Sequence, residues 1–515
     1  MSMQFEEIEA KFLLADVSEG ERVLRALAQF CRLVAADVEY VDDCYVDSAK
    51  RELLAAGLGC RIRQVEPSRG QRRWSLECKA LAHGGESVKH RQETSQPLAG
   101  PVSLLELPSG PVRKVLDATL TTPPEVLLSL RNRRQHYHAT IDESHEFDVC
   151  VDAVSVRDAA DGELAAFHEL EIEFLRGDPA TLETLVRNLS TACSLTISRL
   201  GKLERGLWLT GARAALRVAW APGQPAWPLL VEELAQDLRM IGMSRDVALE
   251  AMDPEGVHLL RTNVRRLRTA LAIAEPWLVE EELQFTKAFR ALAGALGELR
   301  DSEVFRGQTQ ELLQRLPAVK ARVAEQVVGL LDAAHMAAGR QAQAVLAAPS
   351  TDILFRRFAD FLERREDSRP ELTVADLMRP QLLRRARAIR KFLRRRGRRL
   401  TDDDLHRLRI LVKHLRYALE IFAPALEGRA LRLAATLRRL QDRLGAHQDA
   451  CVAVARTGQL AQQVPMGPHA RELLVLLGRM QRQREIDARE LRNTFLDRRG
   501  RKALNRPVRR LLRSL

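Results

Sequence analysis

Two short runs of charged residues have the types and spacing needed to bind a metal ion. Near the start of the chain, Glu7, Glu9 and Lys11 alternate with apolar residues. Successive side chains of a β-strand point to opposite faces, so these three residues share one face. Carboxylate oxygens are the ligands that Mg²⁺ and Mn²⁺ prefer. A later run offers three more carboxylates at the same spacing: Glu169, Glu171 and Glu173.

Further strand-like runs in the first 210 residues add basic residues and another acid at alternating positions. They contribute Arg61, Arg63, Lys79, Arg91, Arg131, Arg133 and Asp152. For any single strand, a solvated charged face is the ordinary explanation. The recurrence of such faces instead favours a β-barrel with a charged interior and an apolar outer surface covered by helices.

Arginine and lysine bind phosphate oxygens, and a divalent cation held by carboxylates can polarise a phosphoryl group and orient an attacking water. The combination therefore predicts phosphoanhydride hydrolysis. The sequence has no GxxxxGK[ST] loop and no nucleophilic triad pattern that would suggest another route.

Length and composition predict a globular protein of several domains, because 46% of the 515 residues are hydrophobic. No apolar run approaches the roughly 20 residues needed to cross a bilayer, and the N-terminal segment is acidic, which predicts a cytoplasmic protein without a membrane span. The seven cysteines show no CxxC pattern, so buried reduced thiols are expected.

The net charge of +12 is unevenly distributed along the chain. Residues 1–210 hold 25 basic and 33 acidic residues, a net charge of −8, whereas residues 211–515 hold 56 and 36, a net charge of +20. In the first part, charged and apolar residues alternate as they do in β-strands. In the second part, which is rich in leucine and arginine, the apolar residues recur at helical spacing. We therefore predict an α+β multidomain protein, with a β domain over 1–207, a linker over 208–228 and an all-α domain over 229–515.

The all-α part contains an internal repeat. The pattern that begins at His258 recurs at His406, an offset of 406 − 258 = 148, and LGxxRD beginning at Leu296 recurs as LGxxQD at Leu444 with the same offset. A constant offset across two separate motifs predicts two related four-helix bundles, over about 229–370 and 371–515.

Each repeat carries a basic helix face at positions i, i+3, i+7 and i+10. The two faces consist of His258, Arg261, Arg265 and Arg268, and of His406, Arg409, Lys413 and Arg416. Such a surface predicts a polyanionic partner. Aromatic residues make up only 5% of the chain and do not interleave with the arginines, so nucleic acid is the less favoured partner. A further basic stretch over 384–399 is either an interaction surface or a solvated helix.

The ordered set of charged strands resembles the CYTH domain of the triphosphate tunnel metalloenzymes over residues 1 to about 207. The resemblance implies an eight-stranded antiparallel tunnel in which metal-activated water cleaves a linear triphosphate, with Glu7, Glu9, Lys11 and Glu171 as catalytic residues. It assigns the metal, Mg²⁺ or Mn²⁺, to Glu7, Glu9, Asp152, Glu169, Glu171 and Glu173. It assigns the phosphates to Lys11, Arg61, Arg63, Lys79, Arg91, Arg131, Arg133 and Lys202. The family pattern differs here at Ser95 and Gly201.

The repeated motifs HxxRxxxRRxR and HxxRxxxKxxRY resemble the conserved histidine α-helical domain, CHAD, over about 229–515. This resemblance implies a basic groove that binds inorganic polyphosphate. Together the two resemblances predict an inorganic triphosphatase joined to a polyphosphate-binding module. Two alternatives remain: a hydrolase or cyclase acting on an organic triphosphate such as thiamine triphosphate or ATP, and a polyphosphate- or nucleic-acid-binding scaffold with weak catalysis.

Overall fold

A computed structural model describes residues 3–81, 88–158, 160–193, 195–211, 220–251, 253–316, 320–364, 372–396, 400–426, 428–467, 469–496, 506 and 508–509. The chain divides into two compact units. The first comprises Met1–Leu216 and Arg239–Leu260, and the second comprises Arg217–Leu238 and Arg261–Leu515.

The first unit is built on an antiparallel sheet that closes on itself. Its strands are β1 (Met3–Leu14), β2 (Arg32–Ser48), β3 (Leu58–Pro67), β4 (Arg73–Ala80), β5 (Val88–Leu98), β6 (Pro124–Thr140), β7 (Glu146–Arg157), β8 (Glu163–Arg176) and β9 (Thr196–Ile197). The hydrogen-bonded order is β5-β4-β3-β2-β6-β7-β8-β1-β9, and β1 also pairs with β5. Strands β1 to β8 thus close the predicted eight-stranded barrel, while the two-residue β9 adds a ninth strand beside β1.

The described residues up to 211 form five helices beside the barrel: α1 (Val17–Leu27), α2 (Glu52–Ala55), α3 (Pro111–Thr119), α4 (Ala180–Ala192) and α5 (Lys202–Leu209). Apolar residues of α1 and α4 pack on the outward residues of β1, β7 and β8, including Phe12, Phe147 and Ile172. Residues of α2 and α3 pack on outward residues of β3 and β4. The alternating pattern therefore has the predicted sense, with the apolar face outside and the charged face inside.

Helix α5 packs against the inward face of β6. Leu203 and Leu207 form one core with the inward residues Leu128 and Leu130. A Cβ atom on Gly206 would lie 2.5 Å from Cδ2 of Leu128, so glycine permits the close approach of this helix to the barrel wall. Because every residue from Lys202 to Trp208 is buried, α5 fills one end of the barrel interior.

The remaining helices are α6 (Ala226–Ala251), α7 (Pro254–Ala274), α8 (Glu280–Arg315), α9 (Ala321–Ala347), α10 (Pro349–Glu363), α11 (Val374–Arg396), α12 (Asp402–Ile421), α13 (Gly428–Gln462) and α14 (Ala470–Leu496). Helices α6, α7 and α8 begin 148 residues before α11, α12 and α13 (374 − 226, 402 − 254, 428 − 280), and α9 and α14 match within one residue. The segment that would correspond to α10, residues 497–511, lies largely outside the described part of the chain. The predicted apolar stripes of α7 and α12 are buried, at Leu260, Val264, Leu267, Leu271, Leu408, Val412, Leu415 and Leu419.

Two further sequence expectations concern the cysteines and the membrane. Cys60 and Cys78, which are register partners on β3 and β4, form a disulfide, so the expectation that all cysteines are reduced thiols is wrong for this pair. Alternation along two paired strands brings two cysteines together without any CxxC spacing.

None of the described helices is long and apolar enough to span a membrane.

Filling the space at Gly206 tests the packing of α5. We expect Gly206→Val to lower the free energy of unfolding by about 1–3 kcal/mol, the usual cost of overpacking a core, because its side chain must displace Leu128. The control is Leu209→Val, which introduces the same residue at the exposed end of the same helix. Urea denaturation measures both variants. Equal stability of the two would contradict the packing of α5 inside the barrel.

Candidate functional site

The register of the strands places most of the charged residues predicted for the site on one inward face. Glu171 lies opposite Lys11 on one side and Cys150 on the other, and Glu9 lies opposite Glu173. Directly opposed residues of neighbouring strands share a face. The barrel interior therefore forms a charged tunnel lined by both cations and carboxylates. Its described cations include Lys11, Arg61, Arg63, Arg73, Lys79, Arg134 and Lys202, and its described carboxylates include Glu7, Glu9, Glu39, Asp43, Glu77, Glu93, Asp148, Asp152, Glu169, Glu171 and Glu173.

Lys202, at the start of α5, lies among three buried carboxylates that we call the carboxylate trio: Asp152, Glu169 and Glu171. Its Nζ lies 2.8 Å from Asp152 and 2.6 Å from both Glu169 and Glu171. The resemblance assigns Lys202 to phosphate, whereas in the structure its ammonium group is surrounded by carboxylates. Burial lowers the pKa of Lys202, but the three carboxylates outweigh that effect and raise it well above its ordinary value.

The predicted phosphate ligands Arg131 and Arg133 lie on the outer face of the barrel, so their expected place in the tunnel is wrong. Both are exposed, and Arg131 binds Asp42 outside. The inward residues of this segment are Asn132 and Arg134. Sequence reasoning missed them because arginine occupies both faces of the run Arg131-Asn132-Arg133-Arg134.

Arg134 is bound to two members of the carboxylate trio. Its Nε and Nη2 donate to the two oxygens of Asp152 at 2.8 and 2.7 Å, and it also bonds Glu171. Asn132 donates to Asp152 at 2.9 Å. Burial lowers the pKa of Arg134, yet Asp152, Glu171 and the other neighbouring groups together outweigh it and raise that pKa, so the guanidinium stays charged.

The N-terminal run lines the adjacent wall. Lys11 bonds Glu171 and lies 2.9 Å from Glu9, while Lys79 on β4 pairs with Glu7. Burial would raise the pKa of Glu171, but Lys11 and the other nearby cations hold it well below its ordinary value. A carboxylate of this kind stays ionised over the whole physiological pH range.

Arg61 and Arg63 occupy the opposite wall and have acidic partners that sequence reasoning gave no role. Arg63 donates to both oxygens of Asp43, at 2.7 and 2.8 Å, and Arg61 donates to Glu77 at 2.8 Å. Burial raises the pKa of each carboxyl, but the arginines outweigh it and lower both to about 2. These pairs fix the two guanidinium groups in the tunnel wall.

The carboxylate trio has the chemistry of a divalent metal site. One oxygen from each of its members lies within 4.8 Å of the others, and all three residues are buried. Oε2 of Glu169 is buried and accepts no hydrogen bond from the described residues. Burial raises the pKa of Glu169, and the neighbouring Glu171 adds to that rise, so a bound cation would relieve the repulsion. An all-oxygen donor set fits Mg²⁺ or Mn²⁺.

The other predicted ligands lie around this trio. Glu173 lies opposite Glu9, and burial together with the charge of Glu171 raises its pKa. Arg91 lies opposite Glu7 in the register of β5 and β1, but its side chain lies outside the described residues. Glu93, to which the sequence assigned no role, lies 3.8 Å from Arg61 and from Lys79.

The second unit brings together six of the predicted polyphosphate ligands, which we call the basic cluster: Arg261, Arg265 and Arg268 on α7, and Arg409, Lys413 and Arg416 on α12. Burial, together with the charges of Arg409 and Arg268, lowers the pKa of Lys413 to about 8. Burial also lowers the pKa values of Arg261, Arg265 and Arg268. A cation surrounded by like charges is stabilised by an anion.

Only Arg416 of the basic cluster makes a described hydrogen bond to another side chain. Its Nε donates to Gln441 at 2.9 Å and its Nη1 to Glu420 at 2.8 Å. The guanidinium of Arg265 stacks over the Tyr417 ring at 4.8 Å. The predicted ligand His406 bonds Gln448 at 2.8 Å and is exposed, whereas His258 is exposed and belongs to the first unit.

The acids of the LGxxRD and LGxxQD motifs lie beside the basic cluster. Asp301 interacts electrostatically with Arg261, and Asp449 interacts with Arg409. Burial raises the pKa of Asp449, which Arg409 partly offsets. The repeated motif acids thus each face one arginine of the basic cluster.

The basic stretch over 384–399 falls largely on α11, except that residues 397–399 lie outside the described part. One side of α11 forms an open surface depression whose lining includes Arg384, Arg387 and Lys391. The stretch therefore presents a basic surface on its own helix.

Comparison with protein families agrees with this architecture. Residues 6–207 match the model of the CYTH domain, and residues 233–458 match that of the CHAD domain. A search of curated proteins found no match.

Similar solved structures each correspond to about half of the chain or less. The CHAD domain from the plant Ricinus communis is 24% identical, with a TM-score of 0.45, and the match covers 54% of this chain and 94% of that one. HpAC1 from Hippeastrum, described as having a dominant triphosphatase activity, is 16% identical with a TM-score of 0.28, and the match covers 40% of this chain and 96% of that one. The PH1819 protein from Pyrococcus horikoshii is 17% identical with a TM-score of 0.27, and the match covers 40% of this chain and 99% of that one. The two family matches place the chain among the proteins that carry a CYTH domain followed by a CHAD domain.

Proposed function

We propose that the first unit hydrolyses inorganic triphosphate to phosphate and pyrophosphate with Mg²⁺ or Mn²⁺, and that the second unit binds inorganic polyphosphate. The observation that carries the first part is the tunnel itself, in which paired arginine and lysine side chains face a buried set of carboxylates. The observation that carries the second is the basic cluster.

The balance of charge in the tunnel explains why a metal is needed. The described wall residues named above comprise eleven carboxylates and seven cations, and the sequence of β5 adds at most Lys89 and Arg91. Carboxylates therefore remain in excess, and a triphosphate would be repelled from the metal-free tunnel. Divalent cations held by the carboxylates reverse this balance, so metal and substrate are expected to bind together.

The chain's own residues have distinct parts in this proposal. Lys11, Arg61 and Arg63 bind and orient the phosphate oxygens, as does Arg134, because they are buried cations with fixed geometry. The carboxylate trio with Glu9 holds the metal, and Lys202 positions the trio. A bound divalent cation would supply Lewis acidity toward the phosphoryl oxygens and activate the attacking water. The buried walls exclude bulk water and strengthen these interactions.

A matched pair of neighbouring variants tests the phosphate-binding wall. We expect Arg134→Gln to reduce kcat/KM for tripolyphosphate by about 10²–10³-fold, because a fixed donor in a buried site is removed. We expect Arg133→Gln, one residue away on the outer face, to stay within about twofold of the wild type.

Activity of the wild type and of both arginine variants is measured as phosphate release in the presence of Mg²⁺ or Mn²⁺. The substrates are tripolyphosphate, ATP, thiamine triphosphate and long-chain polyphosphate. A preference for tripolyphosphate supports the inorganic substrate, whereas faster cleavage of ATP or thiamine triphosphate would establish the organic alternative. If the wild type cleaves none of these compounds, the hydrolase proposal is contradicted and the binding-scaffold hypothesis is favoured instead. Equal losses in the two arginine variants would contradict the inward placement of Arg134.

Neutralising one buried carboxylate tests the metal site. We expect Glu169→Gln to raise the Mn²⁺ concentration needed for half-maximal activity by about 100-fold or more, because a charged metal ligand becomes a neutral amide. Glu163→Gln, on the exposed end of the same strand, is the control. Mn²⁺ binding measured by electron paramagnetic resonance in the absence of substrate provides a second readout. Unchanged Mn²⁺ affinity in Glu169→Gln would remove this residue from the metal site.

The pKa of Lys413 gives the polyphosphate site a pH dependence. The ammonium form binds the polyanion and is lost as the pH rises through about 8, so we expect the affinity of the full chain for polyphosphate to fall about tenfold between pH 7 and pH 9. Lys413→Arg stays charged throughout and should remove most of this fall. Binding should also weaken steeply with salt, because polyphosphate must displace counterions.

Calorimetric titration of the full chain with long-chain polyphosphate at fixed ionic strength measures the effect. An equal pH dependence in the wild type and in Lys413→Arg would contradict the assignment of Lys413. Tighter binding of duplex DNA than of polyphosphate with matched charge would instead favour a nucleic-acid partner.

A further inference from the structure

A histidine, an aspartate and a cysteine meet on the inward face of β6 and β7, beside the residues of the proposed reaction. Nδ1 of His136 lies 2.9 Å from Oδ2 of Asp148 and 3.3 Å from Sγ of Cys150, and Sγ of Cys150 lies 3.2 Å from the same Asp148 oxygen. Each of the three donor atoms therefore touches the other two. The proposed hydrolysis uses none of them.

The way the three groups meet is not that of a nucleophilic triad made of Asp148, His136 and Cys150. In such a triad the acid and the nucleophile contact opposite nitrogens of the imidazole, so that a proton can pass from one side to the other. Here Asp148 and Cys150 both contact Nδ1 of His136. Three donor atoms that converge in this way have the arrangement of ligands around one ion.

The dimensions and the donor types fit a transition metal. Tetrahedral zinc with bonds of about 2.0–2.3 Å separates its ligand atoms by roughly 3.3–3.7 Å. The observed separations of 2.9–3.3 Å need only a small expansion to reach these values. Imidazole and thiolate favour Zn²⁺ or Co²⁺ over Mg²⁺, which takes oxygen ligands.

This cluster is partly open to solvent through His136 and Asp148, whereas Cys150 is buried. Along the inward face of β7, exposure rises from 0% at the Asp152 side chain to 25% at Asp148, in the direction away from α5. Glu173 lies opposite Asp148 in the register and supplies a further carboxylate nearby. Nε2 of His136 lies 3.4 Å from Glu39. The cation Arg134 is close by but is neutralised by Asp152 and Glu171.

We propose that His136, Asp148 and Cys150 form a second metal site, which binds a thiophilic divalent ion such as Zn²⁺ and is separate from the carboxylate trio. Binding replaces the thiol proton of Cys150 with the metal and releases that proton to solvent. A metal ion at this place narrows the tunnel beside Glu171. Inhibition of turnover by Zn²⁺ follows from this position, and this part alone rests on the proposed function.

A second cluster in the chain supplies an internal comparison. Nε2 of His447 lies 3.1 Å from Asp402 and 3.7 Å from Sγ of Cys451, so its donors are more loosely arranged. In addition, the guanidinium of Arg492 lies 3.5 Å from Asp402 and opposes a cation there. Cys451 is therefore the matched control for Cys150.

Titration of the full chain with Co²⁺ tests the site directly, because only a thiolate ligand gives a sulfur-to-cobalt charge-transfer absorption in the near ultraviolet. We expect one equivalent of this absorption in the wild type and in Cys451→Ser, and less than one tenth of it in Cys150→Ser. Asp148→Asn should weaken Co²⁺ binding at least tenfold. Proton release on binding should be lost in Cys150→Ser.

Persistence of the absorption in Cys150→Ser together with its loss in Cys451→Ser would overturn the proposal, as would its absence from the wild type. Turnover of tripolyphosphate with Mg²⁺ is then followed as Zn²⁺ is added, with inhibition expected in the wild type and at least tenfold weaker inhibition in Cys150→Ser. The absorption does not depend on the substrate, so failure of the proposed function leaves the metal site testable on its own.

Discussion

The ion pairs between Lys202 and the carboxylate trio are the interaction on which the first unit depends. Burying three carboxylates beside one another would be prohibitive without cations, because each charge loses its hydration in the interior. Lys202 reaches all three from the first residue of α5. The same helix fills the end of the barrel with leucines, so the apolar core and the charged site are fixed by one short element.

The two units hold cations in opposite ways. In the first, each described tunnel cation lies beside at least one carboxylate, which keeps guanidinium and ammonium groups charged and fixed in place. In the second, burial and the surrounding like charges lower the pKa of Lys413, and the cluster gains stability when an anion binds. The first arrangement suits an anion that arrives with a metal. The second suits a polyanion bound by charge alone.

Much of this organisation was predictable because strand alternation and helix repeats are local patterns. The barrel with its inverted polarity and the 148-residue offset follow from spacing in the sequence, whereas the number of eight strands was implied by the family resemblance. Arg131 and Arg133 were assigned to the wrong face because arginine occupies both odd and even positions of this run. The sequence alone therefore does not indicate which of the two sets faces inward. Only the pairing of Arg134 with Asp152 across β6 and β7 decides which residues face inward. Asp43 was missed for the same reason, since it adjoins Asp42. The disulfide and the position of α5 depend on contacts between distant segments, which no local pattern reports.

The central claim is that metal and triphosphate bind together inside the barrel of the first unit. The most direct test is anomalous X-ray diffraction from crystals of the full chain grown with Mn²⁺ and a non-hydrolysable triphosphate analogue. The account predicts manganese beside Glu169 and Glu171, with the phosphate chain against Lys11, Arg61 and Arg134. Manganese and triphosphate found only outside the barrel would contradict it.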